Sequence, residues 1–279
     1  MYYLLKIMKI NLDVNSINRI IVFIIVILNF YSCNKQNKII ENSNIISEKS
    51  NEINVSKDTI CSPCFAFDTL NSKVRDGLIT KSEAKEKIEN LLPEIIKFYK
   101  QKEPTGFQKQ QWVFPLEGYG PSVIGGKNGD GYKLQGYSYF DGNKHTGHPA
   151  QDIFINDNNQ DCLDDKTGNP VNVLSISGGI VIGVYNNWES NSILRGGNYI
   201  WIYDPENNSV FYYAHNNVLY VKPGDIVKPG DKIATVGRSG KNAFVKRSPT
   251  HLHLSYYKML NGEPIPEDPY SFLMNVKRK

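Results

Sequence analysis

From residue 111 onward, glycine-bearing turns cut the chain into short runs of β-branched and aromatic residues, too short for helices of ordinary length. The runs are Trp112-Val113-Phe114-Pro115, Tyr137-Ser138-Tyr139-Phe140, and segments 171–176, 179–185, 199–203, 210–214, 232–237 and 251–257. Such spacing predicts a mainly β fold, an antiparallel β-sandwich or half-barrel. Val221-Lys222-Pro223-Gly224-Asp225 is echoed by Val227-Lys228-Pro229-Gly230-Asp231, two Pro-Gly turns with β-forming flanks. Lipoyl-type carrier modules use similar turns. The echo marks architecture rather than catalysis: the fold resembles a lipoyl-type barrel, and a carrier module stays open as one class of function.

The chain has 279 residues, enough for one or two domains with a substantial core. Its first 33 residues have the plan of an export signal. Lys6, Lys9 and Arg19 precede an apolar stretch from Ile20 to Leu28, which ends at Tyr31-Ser32-Cys33. That stretch is short for a bilayer-spanning helix of roughly 20 residues. Ser32 before Cys33 resembles a bacterial lipoprotein cleavage site, with lipidation at Cys33. A plain secretory signal and an uncleaved membrane anchor are the alternatives. Phe30 departs from the aliphatic residue usual in lipoproteins.

Residues 34–57 are rich in Asn, Ser, Lys and Glu and read as a flexible tether. The block 58–110 reads as a small helical region. Thr80-Lys81-Ser82-Glu83 is a capping-box pattern, followed by Ile88, Leu91, Leu92, Ile95, Ile96 and Tyr99 at helical spacing. Pro93 predicts a kink or restart there. Cys61-Ser62-Pro63-Cys64 has redox spacing but lacks a strand-helix setting, so a local bridge or no bond at all is expected. Cys162 is left over. The net charge is +4, with no basic run interleaved with aromatics, which argues against nucleic acid as a partner.

The chemistry lies with the histidines, of which there are five. His251-Leu252-His253 on an extended strand directs two imidazoles to one side. His148 and Asp152, at i and i+4, also share a face. Two imidazoles and one carboxylate suit zinc, with a further position left to water. A site of that composition lowers the pKa of its water towards about 7 and polarises a carbonyl, so a metal-dependent hydrolase is the first reading. No His-Glu-x-x-His pattern is present. Asp157-x-Asn159-x-Asp161 imitates the opening of a calcium loop, but Cys162 and Gly168 stand where that loop needs glycine and glutamate.

The order His148-x-x-x-Asp152, Tyr213-Ala214-His215, His251-x-His253 resembles the lysostaphin-like (LytM-type) zinc metallopeptidases that cut cell-wall peptides. The resemblance spans roughly residues 111–270 and includes the Lys-Pro-Gly-Asp turns. It implies one Zn2+ per chain, held by His148, Asp152 and His253. It also implies catalytic, non-ligand roles for His215 and His251. His251 is the favoured water-orienting base and His215 the oxyanion donor, in an order the sequence does not fix. Pro149-Ala150-Gln151 lacks the glycine frequent between the first two ligands of the family. Asn198 and Tyr199, after Arg195-Gly196-Gly197, match a groove-wall position and become candidate substrate-binding residues, with an ordinary core strand as the alternative. Arg238-Ser239-Gly240-Lys241-Asn242 is a candidate loop over the cleft. His145 is expected at the groove lip without a direct role.

Three function classes follow. The first is a monomeric peptidoglycan endopeptidase of the cell envelope, anchored to the membrane by its lipid or else secreted, with domain 111–279 as the peptidase. The second is a non-catalytic wall-binding or amidase-activating protein of the same fold. The third is the carrier module, which has no use for the histidine set.

Overall fold

The computed structural model describes residues 60–279, which form one compact unit. The export signal, Cys33 and the tether lie outside the described residues. Two helices come first, α1 (Ser62–Arg75) and α2 (Lys81–Lys102). Ten strands follow: β1 (Gln151–Phe154), β2 (Asn172–Leu174), β3 (Gly179–Tyr185), β4 (Tyr199–Asp204), β5 (Ser209–Ala214), β6 (Asn216–Leu219), β7 (Ile226–Val227), β8 (Lys232–Val236), β9 (His251–Leu260) and β10 (Glu263–Glu267). A short helix, α3 (Tyr270–Leu273), comes last. Among the described residues no helix is long and apolar enough to cross a membrane.

The strands make two antiparallel sheets. The larger runs β1-β9-β5-β4-β3-β7, with β10 also pairing β9, and the smaller runs β2-β8-β6. The ten-residue β9 is the spine. Its first half pairs β1 on one side, its second half pairs β10, and β5 lies along the other side. Alternation along β9 sends Leu252, Leu254 and Tyr256 into a core shared with Phe211, Tyr213, Val173, Ile233 and Val236, which joins the two sheets. Trp112 closes one end of that core edge-on to Phe211, Tyr256 and Phe272, at centroid distances of 5.2, 6.1 and 5.1 Å.

The opposite face of the large sheet carries His251, His253, Tyr257 and Met259 from β9. It also carries Tyr199, Trp201 and Tyr203 from β4. Half of this face is roofed by α1 and α2. Cys64, Phe67, Leu70 and Val74 of α1 and Ile88, Ile95 and Tyr99 of α2 are buried in the same cluster as the sheet residues. Polar ties fix the docking: Asp68 Oδ1 accepts the Val184 amide at 2.9 Å, and Tyr139 Oη donates to Asn71 Oδ1 at 3.0 Å. The half that the helices leave open is where the histidines stand.

Several local expectations change. The capping box is present, with Thr80 and Glu83 bonded reciprocally, but α2 continues through Pro93 as one helix. α1 falls within the block 58–110 that reads as helical, although the sequence reading places no helix start there before Thr80. It begins at Cys61, which is disulfide-bonded to Cys64, and has Pro63 in its first turn, where no N–H is needed. Tyr137–Phe140 is not a strand: a 3-10 segment, Tyr139–Lys144, packs Gly142 against the carbonyl ends of α1, where an added Cβ would lie 2.3 Å from the Val74 oxygen. Trp112-Val113-Phe114-Pro115 makes a single bridge, Val113 to Lys277, rather than a strand. The two echoed turns are alike in detail. The Lys222 and Lys228 amides each donate to an aspartate Oδ2 three residues on, at 2.9 Å, over glycines with φ of +93 and +87°.

Candidate metal centre and active site

Three strands bring the histidines together. Asp152 on β1 stands directly opposite His253 on β9, and His253 is opposite Ala214 at the end of β5. His215 follows Ala214 in the left-handed region, φ +65°, unusual for a residue with a side chain. The turn is held by the His215 amide donating to the Gly196 carbonyl at 3.0 Å. His148 comes from the segment before β1, fastened by reciprocal backbone bonds with Lys133 at 2.7 Å.

His148 Nε2 and His253 Nδ1 each lie 3.2 Å from Asp152 Oδ1, and these three atoms all fall within 4.8 Å of one another. Ligands about 2.0–2.1 Å from a tetrahedral zinc are roughly 3.3 Å apart, so the spacing fits that ion. Burial supports it as well. Oδ1 is shut off from solvent yet makes no hydrogen bond, although two ring nitrogens stand 3.2 Å away. A buried carboxylate oxygen without a partner is costly unless something else occupies the shared space.

The outer contacts set the tautomers. His148 Nδ1 donates to the Gly131 carbonyl at 3.0 Å, which leaves the Nε2 lone pair towards Asp152. His253 Nε2 lies 3.4 Å from Ser255 Oγ, leaving Nδ1 free to ligate. Burial pushes His253 down to about 4, keeping it neutral as a ligand must be. Asp152 is half-buried, which alone would raise it, but contacts with His148 and His253 outweigh that and hold its carboxyl well below the usual range. His148 is half-buried, which lowers it, and the neighbouring Asp152 outweighs this and raises it.

His215 and His251 face the same space from the other side, with ring centroids 4.9 Å apart. His251 Nε2 is 3.7 Å from Asp152 Oδ1. Each donates Nδ1–H to a backbone carbonyl at 2.7 Å, Ser239 for His215 and Pro249 for His251. A neutral imidazole so held presents an unprotonated Nε2, a proton acceptor. Burial, and the nearness of the His251 and His253 imidazoles, keep His215 well below its ordinary value. In that state His215 accepts before it donates, and an oxyanion-donor role requires it first to take up a proton.

The remaining candidates fall at the edges. Asn198 turns its side chain on its own loop: Oδ1 accepts the Trp188 amide at 3.1 Å, and the amide nitrogen donates to the Asn216 carbonyl at 3.4 Å. Tyr199 is a buried residue of β4 whose hydroxyl accepts from Arg75 Nη1 at 3.1 Å. Asn242 and Ala243 of the loop after Arg238 line the cleft, whereas Arg238 itself ties that loop together by donating to the Ser248 and Val245 carbonyls at 2.6 and 3.2 Å. His145 lines the cleft, with burial first and Arg195 second holding it down to about 4. In the calcium-like segment, Asp157 accepts from the Asp161 and Cys162 amides and the Thr250 hydroxyl, all bonds within the protein. The sequence reading passed over Arg195 and Tyr212, which line the cleft together with the histidines. Nothing in their immediate sequence marks them.

Comparison with solved structures finds the following among the similar chains. The catalytic domain of the antimicrobial peptidase lysostaphin from Staphylococcus simulans is 26% identical, over 51% of this chain and 88% of that chain, with a TM-score of 0.34. LytU is 23% identical over 54% and 83%, with a TM-score of 0.36. A putative glycyl-glycine endopeptidase lytM from Ruminococcus gnavus is 19% identical over 82% and 93%, with a TM-score of 0.41. Among family models, Peptidase family M23 matches residues 162–266. That segment holds His215, His251 and His253 but begins after His148 and Asp152, whose part in the cluster rests on the geometry above. Across residues 162–266 the chain is similar to Peptidase family M23.

Proposed function

We propose that the protein is a zinc-dependent endopeptidase of bacterial cell-wall peptidoglycan. The observation that carries the reading is the convergence of His148 Nε2, Asp152 Oδ1 and His253 Nδ1, with the carboxylate oxygen buried and left without a hydrogen bond. These three residues would hold one Zn2+ per chain. Zinc, when bound, supplies Lewis acidity towards a peptide carbonyl and acidifies water. His251, its Nδ1–H committed to Pro249, offers Nε2 to take a proton from the attacking water and pass it to the leaving amine. His215, held in the same tautomer by Ser239, is the second acceptor and becomes a donor once protonated. Asn198 supports the groove wall through its loop bonds, and Tyr199 through Arg75.

Residues 111–279 form the peptidase domain in this reading, and 58–110 roof part of its sheet. The protein acts as a monomer in the cell envelope after removal of residues 1–32 and lipidation at Cys33, with 34–57 as the tether. The test is metal content of purified variants beside digestion of muropeptides. His253→Ala is expected to lose both zinc and activity, whereas His251→Ala keeps zinc and loses activity. Full activity of the wild-type protein after exhaustive chelation would refute the proposal.

A further inference from the structure

A second cavity opens beside the histidine cluster and is continuous with it through His145, Arg195, Gly196, Tyr212 and His253. Its floor is aromatic, formed by Tyr199, Trp201 and Tyr257, and its far wall is α1 at Val74 and Arg75. No aspartate or glutamate lines it, while two guanidiniums do. Arg75 is already paired: Nε and Nη2 donate to the two carboxylate oxygens of Asp76 at 2.7 and 2.8 Å. Arg195 differs. The only hydrogen bonds of its guanidinium among the described residues run from Nη1 to the backbone oxygen and Nδ1 of His145, and none of the ion pairs found there includes it. Nε and Nη2 are left without a protein partner. The backbone of Arg195 is nonetheless fixed, its amide donating to Asn143 Oδ1 at 3.0 Å and its carbonyl packed against Gly240.

A half-buried guanidinium at the junction of the catalytic cleft and an acid-free aromatic pocket has the geometry of a carboxylate receptor. We propose that Arg195 is a specificity-determining residue that pairs with a free carboxylate on the substrate residue beside the bond cut, whose side chain enters the pocket roofed by α1. This rests on the endopeptidase reading above and narrows it to wall peptides bearing acidic residues, in preference to amidated or purely glycyl ones. A fork donating two hydrogen bonds to a carboxylate supplies roughly ten- to hundredfold in recognition.

The probes are muropeptides with free stem carboxylates and the same muropeptides after carboxamidation. Cleavage is followed by kcat and KM, and binding to the chelated full-length protein by calorimetry. The wild type is expected to favour the free carboxylates by about ten- to hundredfold in kcat/KM, mainly through KM. Arg195→Gln should remove that preference, and Arg195→Lys, which keeps the charge but not the fork, should retain part of it. Equal kcat/KM for the two sets in the wild type overturns the inference while leaving the peptidase reading intact, as does a preference that survives in Arg195→Gln. If neither set is cut, the peptidase reading fails, and the binding arm decides this one: tighter binding of free carboxylates, lost in Arg195→Gln, sustains it, and equal binding ends it.

Discussion

Gly240→Ala is expected to remove most peptide hydrolysis while leaving the metal content of the protein unchanged. Gly240 has φ +107°, and a Cβ built there would lie 2.3 Å from the Arg195 carbonyl oxygen and 2.8 Å from His215 Nδ1. The backbone conformation alone costs an L-residue about 1–3 kcal/mol. The close carbonyl cannot swing aside as a side chain would, so the 238–241 turn must shift. That turn carries the Ser239 carbonyl, which accepts from His215 Nδ1 at 2.7 Å and sets both the tautomer and the direction of the ring. Losing a positioned general acid-base lowers kcat by about 10²- to 10⁴-fold, or about 3–5 kcal/mol of barrier at roughly 1.4 kcal/mol per tenfold. None of the three proposed ligands bonds to the turn. Steady-state hydrolysis of muropeptides, zinc stoichiometry and thermal unfolding on one preparation test this. Wild-type kcat would refute the argument that the turn positions His215, and loss of zinc together with kcat would show that the turn supports the metal centre instead.

Burial raises the Asp204 carboxyl to about 6 in the folded protein from a usual value of 3.8. A raised carboxyl pKa means that the folded state holds its proton longer, so the contribution of Asp204 to stability is fully present below about pH 4 and is lost as pH rises through about 6. Asp204→Asn keeps an acceptor for the Glu206 and Asn207 amides; it should flatten that slope and stabilise the protein above pH 6 by up to roughly 3 kcal/mol. Thermal unfolding of both proteins between about pH 4 and 8 checks the sign, and an unchanged slope counts against it. Replacing Cys61 and Cys64 together by Ser opens a short loop at the start of α1 and should cost about 2 kcal/mol on the chain-entropy account. Denaturant unfolding measures this, and no loss of stability would mean that the bond does not constrain the unfolded chain.

Strands built from uninterrupted β-formers, such as Gly179–Tyr185 and Tyr199–Asp204, were legible because their residues suit a buried sheet whichever neighbour they pair with. The histidine cluster was legible because His251 and His253 needed only an extended backbone to share a side. β1 was not, since Gln151-Asp152-Ile153-Phe154 becomes a strand by pairing with β9, a partner far away in the chain. Tyr137-Ser138-Tyr139-Phe140 misled for the converse reason. Its aromatics favour a sheet, but the close approach of Gly142 to the end of α1 imposes a 3-10 turn instead. α1 hides its apolar spacing behind a Cys-Ser-Pro-Cys start that reads locally as a loop. Arg195 acquires meaning only because the fold leaves its charge uncompensated in the cleft.

The cross-strand opposition of Asp152 and His253 makes the centre a vernier for the whole sheet. A slip of one position along that seam would turn His253 towards the apolar interior and dissolve the constellation at once. Neither flanking segment holds the set alone, so an ion arriving early in folding finds nothing to seize. On the proposed function, metal capture would therefore be a certificate of completed assembly, and a chain with that seam misaligned would be left without the site.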